Sequence, residues 1–195
     1  AYNNLGKVYQ ETKEYDKAIE SYKKVIEIDT NYKEAYYNLG NVYLDDKKEY
    51  EKAEQLYKKA IEIDSNFKEA YNNLGKVYQE TKEYDKAIGS YKKAIEIDPN
   101  FKEALTNLGN VYQIIKEYDK AEQLYKNILK IDSKVKEAHN NLGNVYQIIK
   151  EYDKAIESYK RAIEIDSNFK DVYNNLGLLY QEKKEYDKAI ESYKK

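Results

Sequence analysis

The sequence predicts an all-α repeat protein, a solenoid of antiparallel helix hairpins. Three observations support this prediction: glycines at a regular interval, two helical stripes of apolar residues within each interval, and segments that return unchanged. The segment YNNLGKVYQETKEYDKAI occupies residues 2–19 and returns at residues 71–88. Because a solenoid repeats its contacts whereas each part of a globular core has different neighbours, repetition of this kind favours a solenoid.

The spacing of six glycines sets the period of the repeat. Each of them follows a leucine, and the successive spacings are 34, 35, 34, 34 and 34 residues. They are Gly6, Gly40, Gly75, Gly109, Gly143 and Gly177. We therefore predict one array over residues 1–195, with a truncated last copy. Its repeats are 1–32, 33–67, 68–101, 102–135, 136–169 and 170–195. Because the chain begins at Ala1 and contains no methionine, we expect it to be part of a longer protein.

The first helix of each copy is predicted around the glycine. In the first copy the apolar residues stand at i, i+3, i+4 and i+7, which is the spacing of one helix face. These residues are Tyr2, Leu5, Gly6 and Tyr9. Glycine at this position allows a second helix to approach closely, and we expect the many tyrosines to fill the gaps between hairpins.

The second helix is predicted from a second stripe at i, i+4, i+7 and i+8. This stripe consists of Ala18, Tyr22, Val25 and Ile26. The polar segment QETKEYD between the stripes indicates a turn, and the extra residue of the 35-residue copy is expected in the equivalent turn, within residues 43–53. The junction IDTN at 28–31 returns as IDSN or IDPN, with residues that end one helix and cap the next.

The positions of these residues resemble the tetratricopeptide repeat, whose pattern is W-x₂-L-G-x₂-Y…A-x₃-F…P over 34 residues. The resemblance covers essentially the whole chain. Tyrosine mostly replaces the Trp and Phe of the pattern, Leu105 and His139 take the first aromatic position, and only Pro99 keeps the junction proline. The resemblance implies a right-handed superhelix in which the first helix of each pair lines a concave groove.

Composition narrows the classes of function. The chain has 36% charged residues, a net charge of −2 and no cysteine, and its mean hydropathy is −1.01. Interleaved charges without a basic stripe argue against nucleic acid as a partner, and no apolar run could span a membrane. An intracellular location is favoured, with no compartment indicated. The sequence offers no catalytic constellation, so we predict no enzyme activity, cofactor or metal, and His139 is expected to serve packing.

A row of asparagines is the main candidate for a binding site. One stands two residues before every glycine: Asn4, Asn38, Asn73, Asn107, Asn141 and Asn175. These ladder asparagines resemble those in the superhelical repeat region of O-linked N-acetylglucosamine transferase, which implies that they hold an extended peptide. A side-chain amide offers a donor and an acceptor, which matches a peptide main chain. The alternative is that the amides bond to a neighbouring helix and serve packing.

Other positions on the same helices extend the candidate groove. In the second to fifth repeats the residue after the glycine is Asn41, Lys76, Asn110 and Asn144 in turn, and Tyr37 precedes a ladder asparagine. Ile114 and Ile148, each followed by a second isoleucine, could form an apolar pocket or brace the hairpins. Acidic residues six before the glycine could form a rim or favour helix starts. They are Glu34, Glu69, Glu103, Glu137 and Asp171.

The predicted function is that of a scaffold that binds a neutral or mildly basic, extended peptide segment of a partner protein. A C-terminal carboxylate clamp for chaperone peptides is not expected, because the groove positions that would carry its Lys and Arg hold acidic residues and asparagine. One alternative is a structural spacer, or a self-assembly module that stacks end to end through its terminal repeats. The other alternative is a substrate-recruiting arm of a larger enzyme.

Overall fold

Twelve α-helices, arranged in sequential antiparallel pairs, make up the fold, so the all-α prediction is confirmed. The computed structural model describes residues 1–195. The helices are α1 (Tyr2–Glu11), α2 (Tyr15–Ile28), α3 (Lys33–Asn41), α4 (Tyr50–Ile63), α5 (Lys68–Glu80), α6 (Tyr84–Ile97), α7 (Lys102–Ile114), α8 (Tyr118–Ile131), α9 (Lys136–Ile148), α10 (Tyr152–Ile165), α11 (Lys170–Glu182) and α12 (Tyr186–Tyr193). No helix combines the length and the apolar character that crossing a membrane requires.

The chain divides into two compact units, residues 1–104 and residues 105–195. In the first unit each helix from α1 to α6 packs against the next one along the chain, and the second unit continues this pattern from α8 to α12. Within each unit the side-chain hydrogen bonds join residues at most 36 positions apart. Contacts therefore stay within one repeat or reach the adjacent repeat, as expected of a solenoid.

Glycine and tyrosine from the two helices of one hairpin meet at its centre. A Cβ atom built on Gly143 would lie 2.5 Å from Cε1 of Tyr159, and Tyr159 is fully buried. The prediction that tyrosines fill gaps between hairpins is therefore wrong for this position. The ring needs the space above a glycine, and that space exists only inside its own hairpin. The prediction that tyrosines fill gaps between hairpins is correct for Tyr36, which packs against Ala60 of its own repeat and Ala70 of the next repeat.

A lysine in left-handed conformation makes the turn inside every hairpin. The φ angle of Lys116 is 64°, and the equivalent lysines are Lys13, Lys48, Lys82, Lys150 and Lys184. The turn closes with a hydrogen bond from the Glu117 N–H to the Tyr112 carbonyl, at 2.8 Å. The ammonium of Lys120 then lies 5.2 Å from the Tyr112 ring centroid and pairs with Glu117. The sequence indicated a turn here, but not its left-handed residue.

The extra residue of the second repeat lies in a π-helical segment, Val42–Asp46, that continues α3. The Lys47 N–H donates to the Val42 carbonyl at 3.0 Å, which is the i→i+5 bond of a π-helix. The Glu49 N–H still reaches the Tyr43 carbonyl, at 2.8 Å, as its equivalents do in the other turns. The prediction that this residue lies in the turn is therefore wrong, because the turn keeps its geometry and the helix absorbs the insertion.

The junctions between repeats are held by an aspartate. Oδ1 of Asp98 accepts the Asn100 N–H at 3.0 Å, and Oδ2 accepts the Lys68 ammonium at 2.6 Å. The same ammonium lies 5.0 Å from the ring centroid of Phe101. Lys68 begins the first helix of this repeat, and Asp98 directly follows its second helix. These contacts therefore fix the start of the repeat against its end. Asp64 and Asp166 likewise each accept one backbone N–H and one lysine ammonium.

Candidate functional site

Two ladder asparagines of the second unit, Asn141 and Asn175, bond to the repeat before them. Nδ2 of Asn175 donates to Oδ1 of Asn140 at 2.9 Å and to Oδ1 of Asn144 at 3.2 Å. Nδ2 of Asn141 reaches Oδ1 of Asn110 at 3.5 Å. The donor half of each amide therefore joins adjacent repeats, through a side chain and not through the helix backbone.

The first unit shows the same use of the amide donor. Nδ2 of Asn38 donates to Oδ1 of Asn3 at 3.0 Å. Nδ2 of Asn73 donates to Oδ1 of Asn41 at 2.8 Å and to the Tyr37 hydroxyl at 3.1 Å. Asn73 is only 7% exposed, so in this repeat the ladder residue is largely a packing residue. Asn107, at the start of the second unit, is half-buried.

The asparagines one residue after the glycine accept a hydrogen bond from a buried tyrosine. The donors are the hydroxyls of Tyr57, Tyr125 and Tyr159, which reach Oδ1 of Asn41, Asn110 and Asn144 at 2.8, 2.7 and 2.7 Å respectively. Tyr125 and Tyr159 share their single proton with Oε1 of Gln113 and Gln147, at 2.8 and 3.0 Å. Burial raises the pKa of the Tyr159 hydroxyl well above its usual value, so this group stays protonated and remains a donor. Oδ1 of Asn144 thus accepts from both Tyr159 and the ladder residue Asn175.

Four amide atoms of the second unit have no partner inside the protein. They are Oδ1 of Asn141 and Asn175 and Nδ2 of Asn110 and Asn144. Every buried side-chain nitrogen or oxygen has a hydrogen-bond partner, and these four residues are half-buried, so the four atoms reach solvent. The helices α7, α9 and α11 therefore carry two acceptors and two donors that a ligand can use. We call these four residues the amide face.

The first isoleucine of each pair lines a pocket. Ile114 and Ile148 are 49% and 50% exposed, and both line an open pocket of about 630 Å³. The other lining residues are Gln113, Asn144, Gln147, Lys150, Asn175 and Glu182. The second isoleucines are half-buried, and Ile149 lines a separate depression together with Tyr118, at the turn of the preceding hairpin. Sequence alone left pocket and brace as alternatives: Ile114 and Ile148 line the pocket, and a bracing role of the second isoleucines stays a prediction.

Glu182 and Lys150 are pocket residues that the sequence prediction did not include in the site. Glu182 accepts the Tyr152 hydroxyl at 2.7 Å and Nε2 of Gln147 at 3.3 Å. Glu182 stands five residues after its glycine, as Ile114 and Ile148 do. This shared distance from the glycine is the sequence signal that could have placed Glu182 in the site.

The equivalent surface of the first unit is charged. Nε2 of Gln10 donates to Asp46 at 3.4 Å, just as Gln147 does to Glu182, so the π-helical segment brings Asp46 to the position of Glu182. The depression here is lined by Lys7, Gln10, Glu11, Asp45 and Asp46. Burial raises the pKa of Asp45, and the ammonium of Lys76 opposes that rise. The predicted residue Lys76 thus lies near the Asp45 carboxylate.

The acidic residues six before the glycine and His139 both have structural roles. Glu34 lies in the first turn of α3, as Glu137 does in α9, where a carboxylate stabilises the helix start. Nε2 of His139 is 3.1 Å from the Ser133 carbonyl, so this nitrogen carries the proton and donates. Tyr36 makes the same contact with the Thr30 carbonyl, at 3.1 Å. His139 therefore replaces a tyrosine in a junction contact.

Comparison with known proteins identifies the class of protein. Family models described as tetratricopeptide repeat match residues 1–66, 69–101, 90–123, 137–169 and 171–195. The crystal structure of MamA is 31% identical in sequence, with a TM-score of 0.71, over 80% of this chain and 91% of that chain. The chain therefore belongs to the tetratricopeptide repeat family, whose members generally mediate protein–protein interactions.

Two more distant structures share the fold. PilF of Pseudomonas aeruginosa has a TM-score of 0.84 at 22% identity, over 98% of this chain and 86% of that chain. YrrB, described as a tetratricopeptide repeat protein with an unusual peptide-binding site, has a TM-score of 0.70 at 24% identity, over 94% and 90% of the two chains. The comparison with curated proteins gave no match. The likeness of the ladder to the glycosyltransferase repeats stays a prediction.

Proposed function

We propose that this chain is a non-catalytic interaction module that binds an extended peptide segment of a partner protein along its first helices. The amide face carries this proposal, because its solvent-facing atoms are acceptors on Asn141 and Asn175 and donors on Asn110 and Asn144. An extended main chain presents N–H and C=O groups in alternation, so it can bond to both kinds of atom.

The inward hydrogen bonds of the same amides favour binding. They hold each asparagine in one orientation before a ligand arrives, which reduces the conformational entropy lost on binding. The carboxylates of Glu137 and Asp171, in the first turns of α9 and α11, favour a segment that is neutral or mildly basic. The peptide described for YrrB belongs to that protein, and it supports only the capacity of this fold to hold one.

The substitution Asn144→Asp tests the proposal without removing an internal contact. A carboxylate still accepts from Tyr159 and Asn175, but the donor that faces solvent is lost. We expect at least a tenfold weaker affinity for peptides selected from a random phage-displayed library, with an unchanged melting temperature. Gln123→Glu, at an exposed position of α8, adds the same charge elsewhere and should leave binding unchanged.

Two results would overturn the peptide proposal. Equal affinity of the wild-type and Asn144→Asp proteins would show that the amide face does not hold the peptide. Absence of any binder to the wild-type chain would favour the second candidate, a spacer or self-assembly module.

A further inference from the structure

The pocket of the second unit is apolar at a position that is acidic elsewhere in the chain. Five residues after the glycine, the first and third repeats carry Glu11 and Glu80, and the sixth carries Glu182. Asp46 takes the equivalent place in the second repeat. Only the fourth and fifth repeats carry isoleucine, and both side chains are about half exposed, as given above. These two neighbouring repeats therefore offer an apolar surface that no neighbouring segment covers.

The surroundings of Ile114 and Ile148 indicate an extended segment as the occupant. Asn144 and Asn175, both residues of the amide face, line the same pocket. Their free donor and acceptor need main-chain groups that are not already bonded. A second copy of this chain is helical almost throughout, so most of its main-chain groups are used internally. An extended peptide supplies both the free main-chain groups and a side chain that points toward the isoleucines.

The charges at the pocket favour an uncharged side chain. Lys150 and Glu182 both line it and carry opposite signs, so they contribute no net charge. Glu182 already accepts two hydrogen bonds, from Tyr152 and Gln147. The remaining contact surface is that of the two isoleucines, where an aliphatic group removes apolar area from water.

We propose that Ile114 and Ile148 form a specificity pocket for one aliphatic side chain, Leu, Ile, Val or Met, of the extended segment. This inference rests on the proposed function, because the amide face must hold the main chain for the side chain to reach the pocket. It adds the class of side chain that the second unit selects.

The chain itself supplies the test substitutions. The double substitution Ile114→Glu with Ile148→Glu places glutamate five residues after the glycine, where the first, third and sixth repeats already carry Glu11, Glu80 and Glu182. We therefore expect the fold to be retained. Ile115→Thr with Ile149→Thr is the control, because it replaces two adjacent isoleucines outside the pocket with the residue found at that position in other repeats, as Thr12 and Thr81. Circular dichroism would verify that both proteins are folded.

Each protein would be used to select from a phage-displayed library of random nonapeptides. We expect wild-type binders to share an aliphatic residue at one position and to bind the double glutamate variant at least tenfold more weakly. The glutamate variant should select Lys or Arg at that position, and the threonine control should select as the wild type does.

The outcomes separate the two proposals. If wild-type binders show no aliphatic preference, or bind the double glutamate variant equally well, the specificity pocket is overturned while the peptide-binding function stands. An equal loss of affinity in the glutamate and threonine variants would likewise overturn it, because the effect would not depend on the pocket. Failure of every protein to bind any peptide would overturn the proposed function itself.

Discussion

The glycines of this chain differ in whether their surroundings leave room for a methyl group. A Cβ on Gly143 would meet the ring of Tyr159 at 2.5 Å, whereas a Cβ on Gly89 would have no atom within 4 Å. We expect Gly143→Ala to lower the free energy of unfolding by about 1–3 kcal/mol through overpacking. Gly89→Ala, in the exposed middle of α6, should raise it by about 0.5–1 kcal/mol. Urea denaturation of both variants is the measurement, and equal effects would contradict this assignment.

The adjacent residues Leu142 and Asn141 of α9 should contribute very differently to the free energy of unfolding. Leu142 is 6% exposed, and Leu142→Ala should lower the free energy of unfolding by about 2–5 kcal/mol. Asn141→Ala removes only a 3.5 Å contact to Asn110, which keeps its bond from Tyr125, so the loss should stay under about 1 kcal/mol. Thermal denaturation would measure both. A large loss for Asn141→Ala would mean that this amide serves mainly packing.

At the scale of the element, the π-helical segment should be dispensable. Because residues on both sides of it keep their register, deletion of Asp45 should convert it to α-helix and change the free energy of unfolding by less than about 1 kcal/mol. The control is deletion of Gln79 from a repeat without an insertion, where the Tyr91 hydroxyl loses its acceptor and a larger loss is expected. Chemical denaturation would compare them. Similar losses would show that the π-helical segment is itself required.

The junction aspartates should make the stability sensitive to acid. The Lys68 ammonium, followed by the Asn100 N–H, holds the pKa of Asp98 below its usual value. A lowered pKa contributes stability above the unfolded-state value, and this contribution is lost as the pH falls through the folded-state value. Asp98→Asn should therefore flatten the acid side of a plot of unfolding free energy against pH. Glu157→Gln, at an exposed position of α10, should leave the plot unchanged, and an unaltered slope in Asp98→Asn would contradict this role.

At the scale of the whole molecule, a repeat should be removable as a unit. Deletion of residues 136–169 joins Val135 to Lys170 and recreates the junction that Val135 forms with Lys136. We expect the shortened chain to keep its mean residue ellipticity and to melt at a lower temperature, because each repeat is stabilised by its neighbours. Deletion of residues 153–169 alone should unfold the region, since it leaves a first helix without its partner. Equal helicity of both deletions would contradict the repeat as the unit of folding.

The sequence by itself determined the period, the helix pairs and the positions of the turns. These features follow from spacing along one chain: a helix presents i, i+4 and i+7 on one face wherever it occurs, and the glycine interval counts the hairpins. Asparagine and isoleucine could likewise be assigned to the first helices, because each recurs at a constant distance from the glycine.

Only the tertiary structure decided how individual atoms are used. Asn144 could not be assigned an inward oxygen and an outward nitrogen, because its partners Tyr159 and Asn175 come from a second helix and from another repeat. Ile148 ends α9 and Ile149 follows it, and this step of one residue moves the side chain from the pocket to a depression beside a neighbouring hairpin. The insertion became a π-helical segment because the turn after it is fixed by its own hydrogen bonds. Such outcomes depend on contacts between repeats, which a local pattern does not contain.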